Sequence, residues 1–241
     1  MAHRYFLTQT SGNTALVTGE EAAHLCRVMR IKAGDSVILC DKDGFDYECR
    51  VLSASEKELV GEIISRTKNL AEPSVALTVY MALPKSDKLE FIVQKMCELG
   101  AVRVVPFVSE FCIAQKSKKE DNKRGRLQKI SDEACKQSGR SCGAQVEETL
   151  SFKELLQELS TNDKNLFFYE NSSDKLKDIP FENVKRVGII IGSEGGFSPK
   201  EAELLTEKGA LSVGLGKRIL RCETAAVTAA ALVMYSLGEL E

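Results

Sequence analysis

The chain has 241 residues, a length for one large or two small domains at roughly 150 residues each, and its 43% hydrophobic and 28% charged shares are those of a soluble globular protein. Its 33 Lys and Arg against 35 Asp and Glu give a net charge of −2, which excludes a uniformly basic, histone-like chain but not a nucleic-acid binder with its charge concentrated on one face. The longest apolar run, Ala225 to Tyr235, falls short of the ~18 residues a membrane span needs and contains Thr228. Short runs separated by Gly and Asp turns fill the first 70 residues. Ser36 to Cys40 is apolar, Asp41-Lys42-Asp43-Gly44 is a turn, Phe45 to Val51 alternates faces, and Leu59 to Ile64 follows. This hairpin spacing predicts a small β-barrel or sandwich over residues 1–70. A linker near Asn69 to Ser74, with Pro73, marks the boundary.

Residues 74–241 alternate strands and helices. Val75 to Met81 is a strand-forming run. Asp87 to Leu99 reads as a helix, with Leu89, Ile92, Val93 and Met96 on one face, Asp87 and Glu90 as a variant capping box, and Gly100 as its stop. Val102 to Val108 is a strand and Leu127 to Ser138 a helix, with strands again at Leu166 to Tyr169 and Val187 to Ile191. Such alternation predicts an α/β domain with a mostly parallel sheet.

Two glycine-rich loops carry the chemistry. Gly192-Ser193-Glu194-Gly195-Gly196-Phe197 follows a buried strand and leads to Ser198, Pro199 and Glu201, a well-specified helix start. Ligands of parallel sheets bind beyond the carboxyl ends of the strands, and glycines admit close backbone approach. A tight strand-to-helix turn without a ligand is the alternative. The spacing matches neither a dinucleotide nor a phosphate loop, and Glu194 would repel phosphate, so a cationic or neutral ligand such as a sulfonium suits it better. The second loop, Val213 to Thr224, opens an Ala-rich helix. Arg221 and Glu223 at its entrance form either a surface ion pair or part of a site. No Cys-x-x-Cys occurs, and His3 and His24 lack ligand-like neighbours, so no metal site is expected. The eight cysteines are expected to be reduced, because the chain is long and Met1 to Gln9 lacks an export signal's apolar core. The expected location is the cytoplasm.

Gly192 to Ser198 resembles the Gly-Pro-Glu-Gly-Gly-Phe-Ser loop of the RsmE family of ribosomal RNA methyltransferases, in the SPOUT superfamily. Leu215 to Ala225 resembles that family's Leu-Gly-x-x-Ile/Val-Leu-Arg-x-Glu-Thr-Ala stretch. Further matches are Lys88-Leu89-Glu90, Gln94-Lys95, Glu98-Leu99-Gly100, Pro106, Ser109-Glu110, Glu133-Ala134, Gln137 to Arg140, and His24 to Arg30. The resemblance covers nearly the whole chain. It departs at Ser193, where Pro is commoner, at Lys217, where Pro is frequent, and at Phe111, where Arg is expected. Cys222 occupies a variable position and reads as a bystander thiol.

The resemblance implies a C-terminal SPOUT domain with a deep trefoil knot, an N-terminal PUA-like RNA-binding β-barrel, and a homodimer. It implies methyl transfer from S-adenosylmethionine to N3 of a uridine in 16S ribosomal RNA of the small subunit. The implied cofactor loops are Phe168, Tyr169 and Glu170; Gly192, Ser193, Glu194, Gly195 and Gly196; and Leu215, Gly216, Ile219, Leu220, Arg221, Glu223, Thr224 and Ala225.

Uridine N3 carries a proton, so transfer needs stabilisation of an anionic base. Arg221, with Arg140 from the same or the other subunit, is the expected stabiliser. Glu194 or Glu223 is placed to accept the proton or to orient an Arg. For RNA attraction, Gln115 to Lys129 holds seven basic side chains (Lys116, Lys118, Lys119, Lys123, Arg124, Arg126 and Lys129) against two acidic ones, a local +5. The run is either a phosphate contact or a solvated loop. Arg4, Arg27 and Arg30 are the expected contacts of the N-terminal barrel. The rival readings are an RNA-binding assembly factor without catalysis and an enzyme of the same fold acting on transfer RNA.

Overall fold

The computed structural model describes residues 4–85, 87–113 and 120–240. Two compact units divide the chain, residues 1–72 with 135–143, and residues 73–134 with 144–241.

In the first unit, strands β1 (Arg4–Phe6), β2 (Gln9–Ser11), β3 (Thr14–Thr18), β4 (Ser36–Cys40), β5 (Phe45–Ala54) and β6 (Glu58–Lys68) form one sheet in the order β1-β4-β5-β6-β3-β2. Helix α1 (Glu20–Arg27) follows β3 and buries Ala22 and Leu25. The sheet curls until one segment joins its edges. Phe6 pairs with Cys40, the Leu7 N–H donates to the Cys40 carbonyl at 3.0 Å, the Thr8 N–H to that of Leu16 at 2.7 Å, and Gln9 pairs with Leu16. Register shifts at Glu48/Cys49 and Val51/Ser53 add bends in β5. Tyr5, Val17, Leu25, Leu39, Val51 and Leu59 fill the interior.

The second unit is built on a parallel sheet. Its strands are β7 (Ala76–Ala82), β8 (Ala101–Val108), β9 (Gln145–Val146), β10 (Leu150–Ser151), β11 (Lys164–Phe168), β12 (Arg186–Ile191) and β13 (Leu211–Val213). They run in the order β10-β8-β7-β12-β11-β13, with β9 also on β8. Every pairing is parallel. β7 and β12 are nearly continuous apolar runs because both their faces are covered. Helices α2 (Lys88–Glu98), α3 (Glu120–Ser138), α4 (Phe152–Glu158), α5 (Pro199–Glu207) and α6 (Cys222–Ser236) complete the fold; the last turn of α3 counts with the first unit.

Two local expectations are corrected. The Asp87 side chain makes no capping bond to α2; the Glu90 N–H donates to the Asp87 main-chain carbonyl at 3.0 Å instead, and the Glu90 carboxylate accepts from Arg126 at 2.9 Å. From Glu120 onward the basic run is helical, since α3 begins there, ahead of the expected Leu127; its residues 115–119 lie outside the described residues. The α5 start forms as read, with Ser198 and Glu201 completing a capping box and Pro199 in the first turn.

Candidate active site

Register alone brings the loops together. Phe168 is level with Ile191 and with Val213, so β11, β12 and β13 end side by side. Their following loops enclose a cavity of about 490 Å³. Its lining includes Phe168, Tyr169 and Glu170 from the first loop, Gly192, Ser193, Glu194, Gly195 and Gly196 from the second, and Leu215, Gly216 and Ile219 to Cys222 from the third, with Ala225 of α6. Glu223 and Thr224 stand apart from this lining in the first turn of α6.

Gly192 and Gly196 shape the second loop. A Cβ on Gly192 would stand 3.0 Å from the Gly196 backbone, and Gly196 has φ +68° with the Glu170 carboxylate 2.8 Å from where its Cβ would be. The loop is therefore folded flat upon itself, with the Gly196 N–H donating to the Ser193 carbonyl at 3.0 Å.

The charge arrangement hinges on a residue that motif spacing left without a role. Lys88, at the start of α2, places its Nζ 3.0 Å from Glu194 Oε1 and 3.0 Å from Glu223 Oε2. Glu194 also accepts from the Lys85 N–H at 3.1 Å. These bonds raise the Lys88 pKa above its ordinary value. Burial pushes the Glu194 carboxyl up, but hydrogen bonds from Lys88 and from backbone N–H groups outweigh it, and its pKa lies below the ordinary value. Burial acts likewise on Glu223, where its own N–H, Lys88 and the Cys222 thiol reverse it. The Cys222 thiol donates to Glu223 Oε2 at 3.3 Å. Burial, then that bond and the negative charge of Glu194, push it up to about 12, so it is a neutral thiol at pH 7. One ammonium against two carboxylates leaves the cluster with a charge of −1.

Arg221 is the N-cap residue of α6, is exposed, and lines the cavity. Among the described residues no hydrogen bond or ion pair engages its side chain. Lys217 and Arg218 line the same cavity and are also exposed. Neither is among the RNA contacts expected from the sequence.

The other expected residues have internal partners or lie elsewhere. Arg140 belongs to the first unit, where its side chain is 3% exposed and donates to Glu72 from Nε at 3.2 Å and Nη2 at 2.9 Å. The N–H groups of Ser141 and Cys142 bind the other oxygen of Glu72. Arg140 thus holds a buried turn within its own chain. Arg4 is paired with Asp46 at 3.2 Å and Arg27 with Glu56. Arg30 is exposed. Arg124 pairs with Asp121 and Glu148, and Arg126 with Glu90; Lys123 is exposed. Lys116, Lys118 and Lys119 lie outside the described residues. All eight cysteines are free thiols. No metal-binding cluster occurs among the described residues, and no helix among them is long and apolar enough to cross a membrane.

Comparison with known proteins agrees with this layout. Residues 71–234 match the model of an RNA methyltransferase domain and residues 17–64 that of an RNA methyltransferase PUA domain. Ribosomal RNA small subunit methyltransferase E of Bacillus subtilis is 36% identical, over 96% of each chain. The ribosomal RNA small subunit methyltransferase E of Neisseria gonorrhoeae, solved with S-adenosyl methionine bound, superposes with a TM-score of 0.87 at 27% identity over 98% of each chain. A putative methyltransferase of Legionella pneumophila, solved with the same cofactor, does so at 0.88, with 26% identity and 98% coverage of each. By domain content, identity over nearly its full length and the loops that converge on one cavity, this chain belongs to the ribosomal RNA small subunit methyltransferase E family.

Proposed function

We propose that the protein transfers a methyl group from S-adenosylmethionine to N3 of a uridine in 16S ribosomal RNA of the small subunit. The observation that carries this reading is the unpaired Arg221 guanidinium on the wall of a three-loop cavity.

The cavity suits the cofactor. Its volume is in the range of small-molecule sites. The folded glycine loop exposes backbone to the ligand, and the Glu194 carboxylate on the cavity wall favours a sulfonium placed beside it. The bound cofactor supplies an electrophilic methyl carbon. Arg221 stabilises negative charge on the uracil as the N3 proton passes to bulk water and N3 takes the methyl carbon, the sulfur–carbon electron pair leaving with S-adenosylhomocysteine; this use of preorganised charge costs no reorganisation. Glu194 and Glu223 are weak proton acceptors while they share Lys88, because both have lowered pKa values. Their role is to lock the start of α2 to the second loop and to α6 and so to fix Arg221, which is two residues from Glu223. Exposed Lys217, Arg218 and Arg221 attract the RNA backbone.

Two further features belong to this reading. The first is a trefoil knot, supported by the tight passage of the third loop against the first. The Gly214 N–H donates to the Asp174 carbonyl at 3.0 Å, and a Cβ on Gly214 would stand 2.6 Å from the Ser172 carbonyl oxygen. The second is a homodimer, supported by the exposed apolar side chains Phe91 of α2 and Leu232 and Tyr235 of α6; sedimentation of the purified protein tests it. The function is tested by mapping methyl groups on 16S ribosomal RNA from cells lacking the protein. One N3-methyluridine should be absent, return with the wild-type gene, and fail to return with Arg221→Ala. An unchanged methylation map overturns the reading.

A further inference from the structure

The turn Ser109 to Cys112 follows β8 at the carboxyl edge of the sheet and holds an aromatic side chain outward. The Cys112 N–H donates to the Ser109 carbonyl at 3.1 Å, and the Ser109 N–H to Cys112 Sγ at 3.3 Å. Glu201 anchors the turn from outside it. Its Oε1 accepts from the Glu110 N–H at 2.9 Å, while its Oε2 accepts from the Ser198 N–H at 3.0 Å. One buried carboxylate therefore ties this turn to the helix start beyond the glycine loop. Cys112 packs inward on the core. Phe111 between them remains 45% exposed.

Phe111 also touches the cofactor loop. A Cβ on Gly195 would stand 2.7 Å from Phe111 Cβ and 3.3 Å from its Cγ. Gly195 lines the cavity that carries Lys217, Arg218 and Arg221. An aromatic face in a rigid turn, next to a cavity bordered by exposed cations, is the combination by which proteins hold single-stranded nucleic acid. A phenyl ring has no group to pair with phosphate, so its partner is a base. We propose that Phe111 stacks on a nucleobase of the RNA strand presented to this cavity and thereby positions the substrate. This deepens the reading of the site as an RNA methyltransferase and rests on it.

The absence of tryptophan from the chain makes the test direct. Phe111→Trp introduces a single tryptophan, whose emission a stacked base quenches. Oligouridylate added to that variant should quench the emission saturably, whereas S-adenosylmethionine alone should not. With small subunits from cells lacking the protein as substrate, Phe111→Ala should raise KM by roughly 5- to 100-fold, change kcat much less, and leave cofactor affinity by calorimetry as in the wild type. Phe111→Trp and Phe111→Tyr should raise KM less than Ala does, which carries the test if the alanine variant folds poorly. An unchanged KM in Phe111→Ala overturns the proposal. So does emission that ignores RNA, or that changes with protein concentration alone, which would mark a contact between copies. If the wild-type protein binds no cofactor and methylates nothing, the reading of the site fails first, and the quenching measurement still reports whether RNA stacks on residue 111.

Discussion

Lys88 Nζ lies 3.0 Å from Glu194 Oε1 and, at the same distance, from Glu223 Oε2, so one side chain of α2 spans the second loop and the start of α6. Lys88→Met would leave two carboxylates facing each other with no counter-ion. Cofactor affinity should fall by roughly tenfold, the size of one lost charge-assisted hydrogen bond, and calorimetry would read it. Wild-type affinity would show that the bridge does not shape the cavity.

The same cluster sets a pH dependence. Both carboxyls lie below their ordinary value of about 4.5. Their stabilising contribution is therefore complete above that pH and lost as pH falls through the lowered values. Lys88 lies above its ordinary value of 10.5, so its share is present below that pH and disappears only in stronger alkali. Thermal melts should be flat from about pH 6 to 9 with respect to this cluster. In Lys88→Met the acid-side loss should begin at higher pH, because each carboxylate then raises the pKa of the other. Superimposable acid limbs for the two proteins would count against the assignment.

Arg221→Ala should separate binding from chemistry. The side chain has no protein partner among the described residues, so the melting temperature should stay within about a degree, as for an ordinary surface substitution. Turnover should drop by roughly 10²- to 10³-fold, as when a preorganised donor to a developing anion is removed. Single-turnover rates with saturating cofactor are the measurement. Turnover within a factor of three of wild type would remove Arg221 from the mechanism.

Arg140→Ala tests a structural role. The guanidinium is 3% exposed and its partner Glu72 12%. Removing one member of a buried pair costs about 3–5 kcal/mol, to be read as a lower urea midpoint. Intact stability with lost turnover would instead place Arg140 in the chemistry.

RNA binding should weaken with salt. Each phosphate contact contributes about −0.7 to the slope of log K against log salt for a single strand. Replacing Lys217 and Arg218 together should flatten that slope by about 1.4 if each makes one contact. An unaltered slope would shift the electrostatic contact to other side chains.

The sequence disclosed what local bonds determine. Ser198, Pro199 and Glu201 form their capping box because all its hydrogen bonds close within one turn. The three-loop cavity was reachable from motif and strand order, since parallel register aligns the strand ends. Asp87 does not cap as its spacing suggests because the Glu90 N–H bonds its main-chain carbonyl, while the Glu90 carboxylate turns to Arg126, a partner remote in sequence. Lys88 stands out in the sequence only as a motif match; nothing in its spacing announces two carboxylates that lie more than a hundred positions downstream. The strand segments at 4–11 and helix α1 escaped for another reason. They are too short for a periodic signal, and their order comes from neighbours on β3 and β4.

That bridging segment has a bearing on how the protein is handled. Residues 4–7 lie along β4 and residues 8–11 along β3, so this one stretch covers an edge of each. Deleting this one stretch would bare two edges at once, each a row of free backbone donors and acceptors open to strands of other molecules. A truncation at the amino end should therefore show itself first as self-association, and purification handles are better placed at the opposite terminus.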